Sequence, residues 1–191
     1  MHERVTSERQ TQILDDLEKI VLAEGFAHLQ VSDLTRRLHC SRATLYALAP
    51  SKEALMERVC DRIGHAWIAY AREQAASCPP GVERIARYAE SIAHRQSVAA
   101  PQLWRDAQTL ASTRAVLAER SAESSRDYIG YLEEAGRAGL IRGLNPTYIA
   151  SVILAGARNT RDPEILEAAG ITAEEAMKEL ALFLRSGVDV R

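Results

Sequence analysis

The stretch Ser41-Arg42-Ala43-Thr44-Leu45-Tyr46, with a further positive charge at Lys52, holds the side chains best suited to chemistry with a partner. A serine just before a helix accepts a hydrogen bond from its first turn, leaving other donors and the positive dipole end for an anion. Arg42, the first residue inside, carries a guanidinium able to make paired hydrogen bonds to a guanine edge, and Ala43 is small enough to meet a thymine methyl. Thr44 and Tyr46 carry hydroxyls that can bond phosphate oxygens, and Lys52 offers its charge to the flanking backbone. Phosphate contacts of this kind set register, whereas base contacts set sequence.

These residues need elements to hold them. Val31, Leu34 and Leu38 predict a short helix, separated by His39-Cys40-Ser41 from the one expected over Arg42 to Leu48. Two short helices joined by a tight turn have helix-turn-helix geometry, in which the second helix enters the DNA major groove. Ahead of them, Ile13, Leu17, Ile20 and Val21 share one face of a first helix. Ser7-Glu8-Arg9-Gln10 has capping-box spacing at its expected start, and Gly25 is placed to close its end. Ala49-Pro50-Ser51 then breaks the chain, and Ser51 can cap a fourth helix carrying Leu55, Val59 and Ile63 on one face.

Beyond Gly64 the helices lengthen, with breaks expected at Cys78-Pro79-Pro80-Gly81, near Pro101 and from Gly139 to Pro146. Thr160 to Thr172 reads as a loop. Asn145-Pro146 is a cap followed by proline in the first helical position, and Thr172-Ala173-Glu174-Glu175 is a second capping box. No stretch alternates with the period of a strand, and there is no repeat or low-complexity tract. The expected fold class is all-α: a helix-turn-helix domain over residues 1–63, then a larger helical body over 64–191.

Composition narrows the partners. The chain has 191 residues, 47% hydrophobic and 26% charged, and a net charge of −2, so a basic coat over the whole molecule is excluded. Within residues 1–63, nine cationic side chains face ten anionic ones. Nucleic-acid affinity must therefore come from local placement, and Arg36, Arg37 and Arg42, with Asp33 nearby, are expected to form the positive face. The longest uncharged run, 15 residues between Arg142 and Arg158, is interrupted by Asn145-Pro146 and is too short to span a bilayer. Met1 to Gln10 has no apolar segment of the kind a secretory signal needs. Cys40, Cys60 and Cys78 are odd in number and widely spaced, which suits a reducing cytoplasm rather than a disulfide framework.

Catalytic signatures are absent. There is no G-x-G-x-x-G, P-loop or G-x-S-x-G, and Gly139 to Gly143 lies in a charged loop region rather than an apolar helix. His2, His28, His39, His65 and His94 lack metal-ligand spacing, so neither metal nor cofactor is expected.

Residues Ile13 to Ile63 resemble the DNA-binding domain of the tetracycline-repressor (TetR) family of bacterial regulators. The stretch VSDLTRRLHCSRATLYALAPSKEALMERV carries the likeness through its apolar second helix, Ser41, Thr44-Leu45-Tyr46, and Ser51-Lys52-Glu53 with Leu55. The family usually has glycine where this chain has His39, a position expected to need positive φ. It often has His or Tyr and then Phe where Leu48 and Ala49 stand, and threonine in place of Gln30.

The resemblance implies a homodimeric regulator of double-stranded DNA, a repressor released from a palindromic operator by a small molecule. Gln30, Arg36, Arg42, Ala43, Thr44, Tyr46 and Lys52 would meet DNA. Trp67, Tyr70, Tyr88, His94, Trp104, Tyr128 and Tyr131 would wall an effector pocket, with Arg105 and Arg158 as further polar partners. Helices over about 146–159 and 172–187 would pair with their copies through Ile149, Val152, Ile153, Met177, Leu180 and Leu184. The chemistry by itself leaves open the chain's own core as the destination of these aromatic and apolar residues. Two other functional classes also stay open: a helical ligand-binding or enzymatic domain whose first module makes protein contacts, and a redox-responsive regulator acting through Cys40.

Overall fold

The computed structural model describes residues 2–140, 143, 145–160 and 162–187, and among these there are helices and turns but no strand. In chain order the helices are α1 (His2–Glu24), α2 (Val31–Arg37), α3 (Arg42–Tyr46), α4 (Lys52–Ala76) and α5 (Val82–Ser97). They continue as α6 (Pro101–Thr109), α7 (Ala111–Arg137), α8 (Pro146–Asn159), α9 (Pro163–Ala169) and α10 (Ala173–Gly187). The chain forms two compact units, one of residues up to 65 together with 98–119, the other of 66–97 together with residues from 120 onward. The expected boundary after Ile63 thus falls inside α4, and α6 with the start of α7 packs in the first unit.

In the first unit the apolar periodicity is realised as burial. Ile13, Leu14, Leu17 and Val21 of α1, Leu34 of α2, Leu45 of α3, and Leu55, Met56, Val59 and Ile63 of α4 are all buried. Each such side chain contributes about 1.5–3 kcal/mol on leaving water. Because α1 already begins at His2, Ser7 to Gln10 lie inside it and do not cap its start. Its end is as expected: Gly25 adopts φ +77°, its N–H bonds Val21 O at 3.0 Å, and Phe26 folds into the core.

The turn between α2 and α3 is a Schellman closure. Cys40 N–H reaches Thr35 O at 3.0 Å and His39 N–H reaches Arg36 O at 3.4 Å, with His39 left-handed at φ +47°. Histidine therefore does what glycine does more easily, since a Cβ is strained there. Arg9 of α1 covers the exposed carbonyls, donating from Nη2 to His39 O at 3.1 Å and Leu38 O at 3.3 Å. α3 stops at Tyr46, two residues earlier than expected. Pro50 disfavours helical backbone at Ala49, and Arg58 of α4 caps the stretch by donating to Leu48 O at 2.6 Å.

The second unit is built round Tyr88 and Tyr128, which are buried with Ala71, Ala75, Ile85, Leu132, Ala150, Ile153 and Leu184. The Tyr88 and Tyr128 rings meet edge to face at 4.9 Å, and Tyr88 also meets Tyr131 at 5.5 Å. Tyr88 OH donates to Asp127 Oδ2 at 2.7 Å, so the polar tip is satisfied within the core. The caps before α8 and α10 form as expected: Asn145 Oδ1 accepts from Tyr148 N at 3.0 Å, and Thr172 and Glu175 exchange bonds at 2.8 and 3.2 Å. The loop expected from Thr160 to Thr172 instead contains α9, capped by Asp162 and closed by left-handed Gly170. Periodicity misses a helix this short, whereas its cap, proline and glycine mark both ends.

Arg185 ties α10 to α5. Its Nε and Nη2 reach Glu83 at 3.0 and 3.3 Å, and its Nη1 reaches Glu90 at 2.6 Å. The hydrogen bond from Arg185 holds the Glu83 carboxyl below the ordinary value of 4.5. This contribution is complete above pH 4.5 and is lost as pH falls through the lower, folded-state value. Arg185→Gln should therefore cost about 0.5–1 kcal/mol at neutral pH, roughly 1–4 °C in Tm. Thermal melts at descending pH should show this difference shrinking below pH 4.5. In urea denaturation, His39→Gly should stabilise the first unit by about 1 kcal/mol, and His39→Val should destabilise it by at least as much.

Candidate nucleic-acid interface

The Schellman turn delivers the chain to Ser41, whose backbone is extended and whose Oγ accepts from Thr44 N at 3.0 Å. Thr44 Oγ1 lies 2.8 Å from Ser41 Oγ, so the threonine hydroxyl, expected at a phosphate, joins the cap. Leu45 faces the core, and the helix turns Arg42, Ala43, Tyr46 and Ala47 to solvent. These residues lie at i, i+1, i+4 and i+5, a single exposed face with one cation, one phenol and two methyl groups. Such a face can hydrogen-bond a base edge, contact a methyl and reach a phosphate together.

α2 supplies the neighbouring surface. Gln30 precedes it with extended backbone, its carbonyl accepting from Asp33 N and Leu34 N at 3.0 Å, and its exposed side chain makes no capping bond. Arg36 is exposed and pairs with Asp33 at 3.1 Å, while Arg37 pairs with Glu24 from the end of α1. The positive face expected from Arg36, Arg37 and Arg42 is thus partly neutralised. Glu24 is remote in sequence from Arg37 and is brought there by the turn at Gly25. Lys52, expected at a flanking phosphate, donates from Nζ to Ala27 O at 3.1 Å.

Sequence reasoning missed Arg9, Arg58 and Asp106, which hold this surface through the main chain. Neither Arg9 nor Arg58 is marked out in the sequence, because nothing in their own helices shows which carbonyls they will meet. Asp106 of α6 is 2% exposed, and its Oδ2 accepts from Phe26 N at 2.6 Å and Ala27 N at 2.8 Å. Burial alone would push its pKa up, but these bonds and one from the Gln102 amide outweigh it and hold the carboxyl below the ordinary aspartate value. The available signal was an acidic residue on an otherwise apolar helix face beside Leu103 and Ala107.

Cys40 is half-buried beside the turn, and burial pushes its thiol up, the direction that disfavours a reactive thiolate. Cys60 is buried and its thiol is pushed up to about 12. Among the described residues, no group of three His, Cys, Asp or Glu side chains is placed to hold a metal ion, and no helix is long and apolar enough to cross a membrane.

The expected effector residues are divided between the two units. Tyr88, Tyr128 and Tyr131 cluster in the second unit, the first two buried and the third half-buried. Tyr70 and Trp67 are half-buried on α4, with the Arg95 guanidinium 4.0 Å from the Tyr70 ring centroid, and His94 is exposed. Trp104 lies on α6 in the first unit. Of the expected dimer residues, Ile153, Met177 and Leu184 are buried within the chain itself, Ile149 and Leu180 are half-buried, and Val152 is exposed. The large apolar side chains that α8 and α10 do present to solvent are Tyr148, Val152, Leu182 and Phe183. Residues 150, 153, 181 and 184 are buried while 148, 152, 182 and 183 are exposed, so each helix is apolar on two faces.

Residues 13–59 match the model of the family described as bacterial regulatory proteins, tetR family. No curated protein matches the chain. Among solved structures, a protein from Rhodococcus sp. described as a TetR-family transcriptional regulator is similar at TM-score 0.74 and 21% identity, over 96% of this chain and 100% of that one. The fatty acid degradation regulator FadR from Bacillus halodurans matches at TM-score 0.71 and 15% identity, over 93% and 98% of the two chains. A protein from Saccharomonospora viridis described as a transcriptional regulator, solved in complex with choline, matches at 0.79 and 14%, over 97% and 100%. At these identities the likeness is one of fold. Residues 13–59 therefore carry the tetR-family amino-terminal domain, and the chain has the fold of the TetR-family transcriptional regulators.

Proposed function

We propose that this chain is a homodimeric, one-component transcriptional regulator that binds a palindromic DNA operator in the cytoplasm and is released from it by a small molecule. The observation that carries the reading is the Ser41-capped α3, held by a left-handed turn, with Arg42, Ala43, Tyr46 and Ala47 on one solvent face inside the family-matched segment. Arg42 and Ala43 read bases. Tyr46, Thr44 and Gln30 grip phosphate, joined by Arg36 and Lys52 once DNA competes for their present partners.

The dimer is supported by the exposed Tyr148, Val152, Leu182 and Phe183 on α8 and α10, apolar area of a kind that favours association. Half-buried Ile149 and Leu180 would border that interface, with Ile153, Met177 and Leu184 backing it from inside. A two-fold dimer would read a palindrome because each protomer presents the same helix to one half-site. For the effector, the half-buried Trp67, Tyr70 and Tyr131 and the exposed His94 have the accessibility that lining a pocket needs, with Tyr88 and Tyr128 supporting them from the core. The choline in the Saccharomonospora viridis structure shows that protein with a small ligand and supports an effector by analogy of fold. Release requires a ligand with different affinities for the DNA-competent and incompetent states, and repression follows if the operator overlaps a promoter.

The test is selection of duplexes from random DNA by the purified chain, followed by fluorescence anisotropy at several salt concentrations. Sequence-selective binding with a salt slope is expected, and recovery of no preferred duplex would refute the reading. Arg42→Ala should cost about 1–3 kcal/mol against the selected duplex and relax one base position. Sedimentation should show a dimer that the double substitution Leu182→Glu, Phe183→Glu converts to monomer; a monomeric parent would remove the dimer from this reading.

A further inference from the structure

We propose that Asp106, on α6, is a positioning residue for DNA recognition: its carboxylate latches the turn from α1 to α2 and so fixes where α2 begins. This rests on the DNA-binding reading above and extends it beyond the segment that the family model matches, residues 13–59.

After left-handed Gly25 the chain has left α1 but not yet started α2, and the N–H groups of Phe26 and Ala27 are turned into the unit. A donor buried without an acceptor is costly. One oxygen of Asp106 takes both, at 2.6 and 2.8 Å, and its other oxygen accepts from Gln102 Nε2 at 2.5 Å. The next peptide group is held too, where Lys52 donates to the Ala27 carbonyl at 3.1 Å. Ala27 is thus gripped from α6 through its N–H and from α4 through its carbonyl, three residues before Gln30 opens α2.

Two further contacts make the arrangement tight. Ala100 N–H, at the start of α6, bonds Leu22 O in the last turn of α1 at 2.7 Å. A methyl group at Gly25 would lie 2.5 Å from Asp106 Oδ2 and 2.8 Å from Gln102 Cγ, so the turn admits no side chain there. With Phe26 in the core and its carbonyl bonded by Leu29 N at 3.2 Å, little slack remains between the latch and α2. Asp106 touches no part of the exposed α3 face; it acts through the main chain that carries α2 and the turn to α3.

The test uses the full chain and a duplex selected from random DNA by the parent protein. Asp106→Ala removes both acceptors. It should weaken binding at least about 10-fold, speed exchange of the Phe26 and Ala27 amides, and leave the salt slope unchanged, because no phosphate contact has gone. Asp106→Asn sets a carbonyl oxygen against the same N–H groups, at the cost of its bond from Gln102, and should restore most of the affinity and amide protection that Asp106→Ala loses. If Asp106 acted only by its charge, both variants would bind the duplex more tightly, and the proposal would be overturned. It would equally fail if Asp106→Ala exchanged the two amides freely yet bound as the parent does. Should Asp106→Ala not fold, Asp106→Ser carries the same comparison with room for water beside the freed N–H groups. A parent that selects no duplex would overturn the DNA-binding reading and the latch together; a parent that does, with an alanine variant equal to it, overturns the latch alone.

Discussion

Between Leu38 and Ser41 the main chain must leave one helix and start another, and a left-handed residue at His39 lets it do so at once. Everything on the candidate interface depends on that reversal. It places Ser41 to cap α3, turns Leu45 inward, and leaves Arg42 and Ala43 at the exposed start of the helix. A histidine in this position is strained, and the surrounding bonds from Cys40 N–H, His39 N–H and Arg9 hold it there. The neighbourhood over-determines a conformation that the residue by itself disfavours.

The same economy governs charge. The first 63 residues are nearly neutral, so the interface cannot draw DNA by a broad positive field. Several cations of the first unit serve the protein first: Arg37 pairs with Glu24, Arg36 with Asp33, Lys52 with a main-chain carbonyl, and Arg62 with Asp15 and Glu18. Such a surface favours contacts that need correct geometry over loose electrostatic attraction. Geometry in turn is set by main-chain bonds, of which those to Asp106 reach about 80 residues along the chain.

The second unit solves a different problem. α8 and α10 must pack inward and still present apolar surface outward. Ala150, Ile153, Ala181 and Leu184 take the inward role, and Gly156 lets Leu180 come so close that an added Cβ would lie 2.9 Å from its Cδ1. The tyrosines divide similarly, Tyr88 and Tyr128 filling the core while Tyr70 and Tyr131 keep part of their surface accessible. Tyr88 can be buried at all because Asp127 receives its hydroxyl, and Arg72 balances that carboxylate at 2.9 and 3.0 Å.

Much of this was legible locally. The apolar period marked the helices, and Gly25, Ser41, Ser51, Asn145 and Thr172 marked their ends, because capping uses atoms only a few residues apart. The positive φ at His39 followed from the family resemblance, which usually places glycine there, and Arg42 at the start of its helix followed from Ser41 as the cap. Periodicity could not tell which apolar side of α8 or α10 would turn inward, since both sides are apolar and only the neighbouring helices choose between them. It could not show that Glu24 would neutralise Arg37, or that Arg9 and Asp106 would close main-chain groups 30 and about 80 residues away along the chain. The sequence by itself determined most of the elements, the caps that close them and the residue types on α3, since these follow from interactions within a few residues, although the start of α1, the end of α3 and all of α9 escaped it. Only the tertiary structure decided which charges are paired, which tyrosines are core and what holds the turn before α2, because those depend on packing between helices distant in the chain.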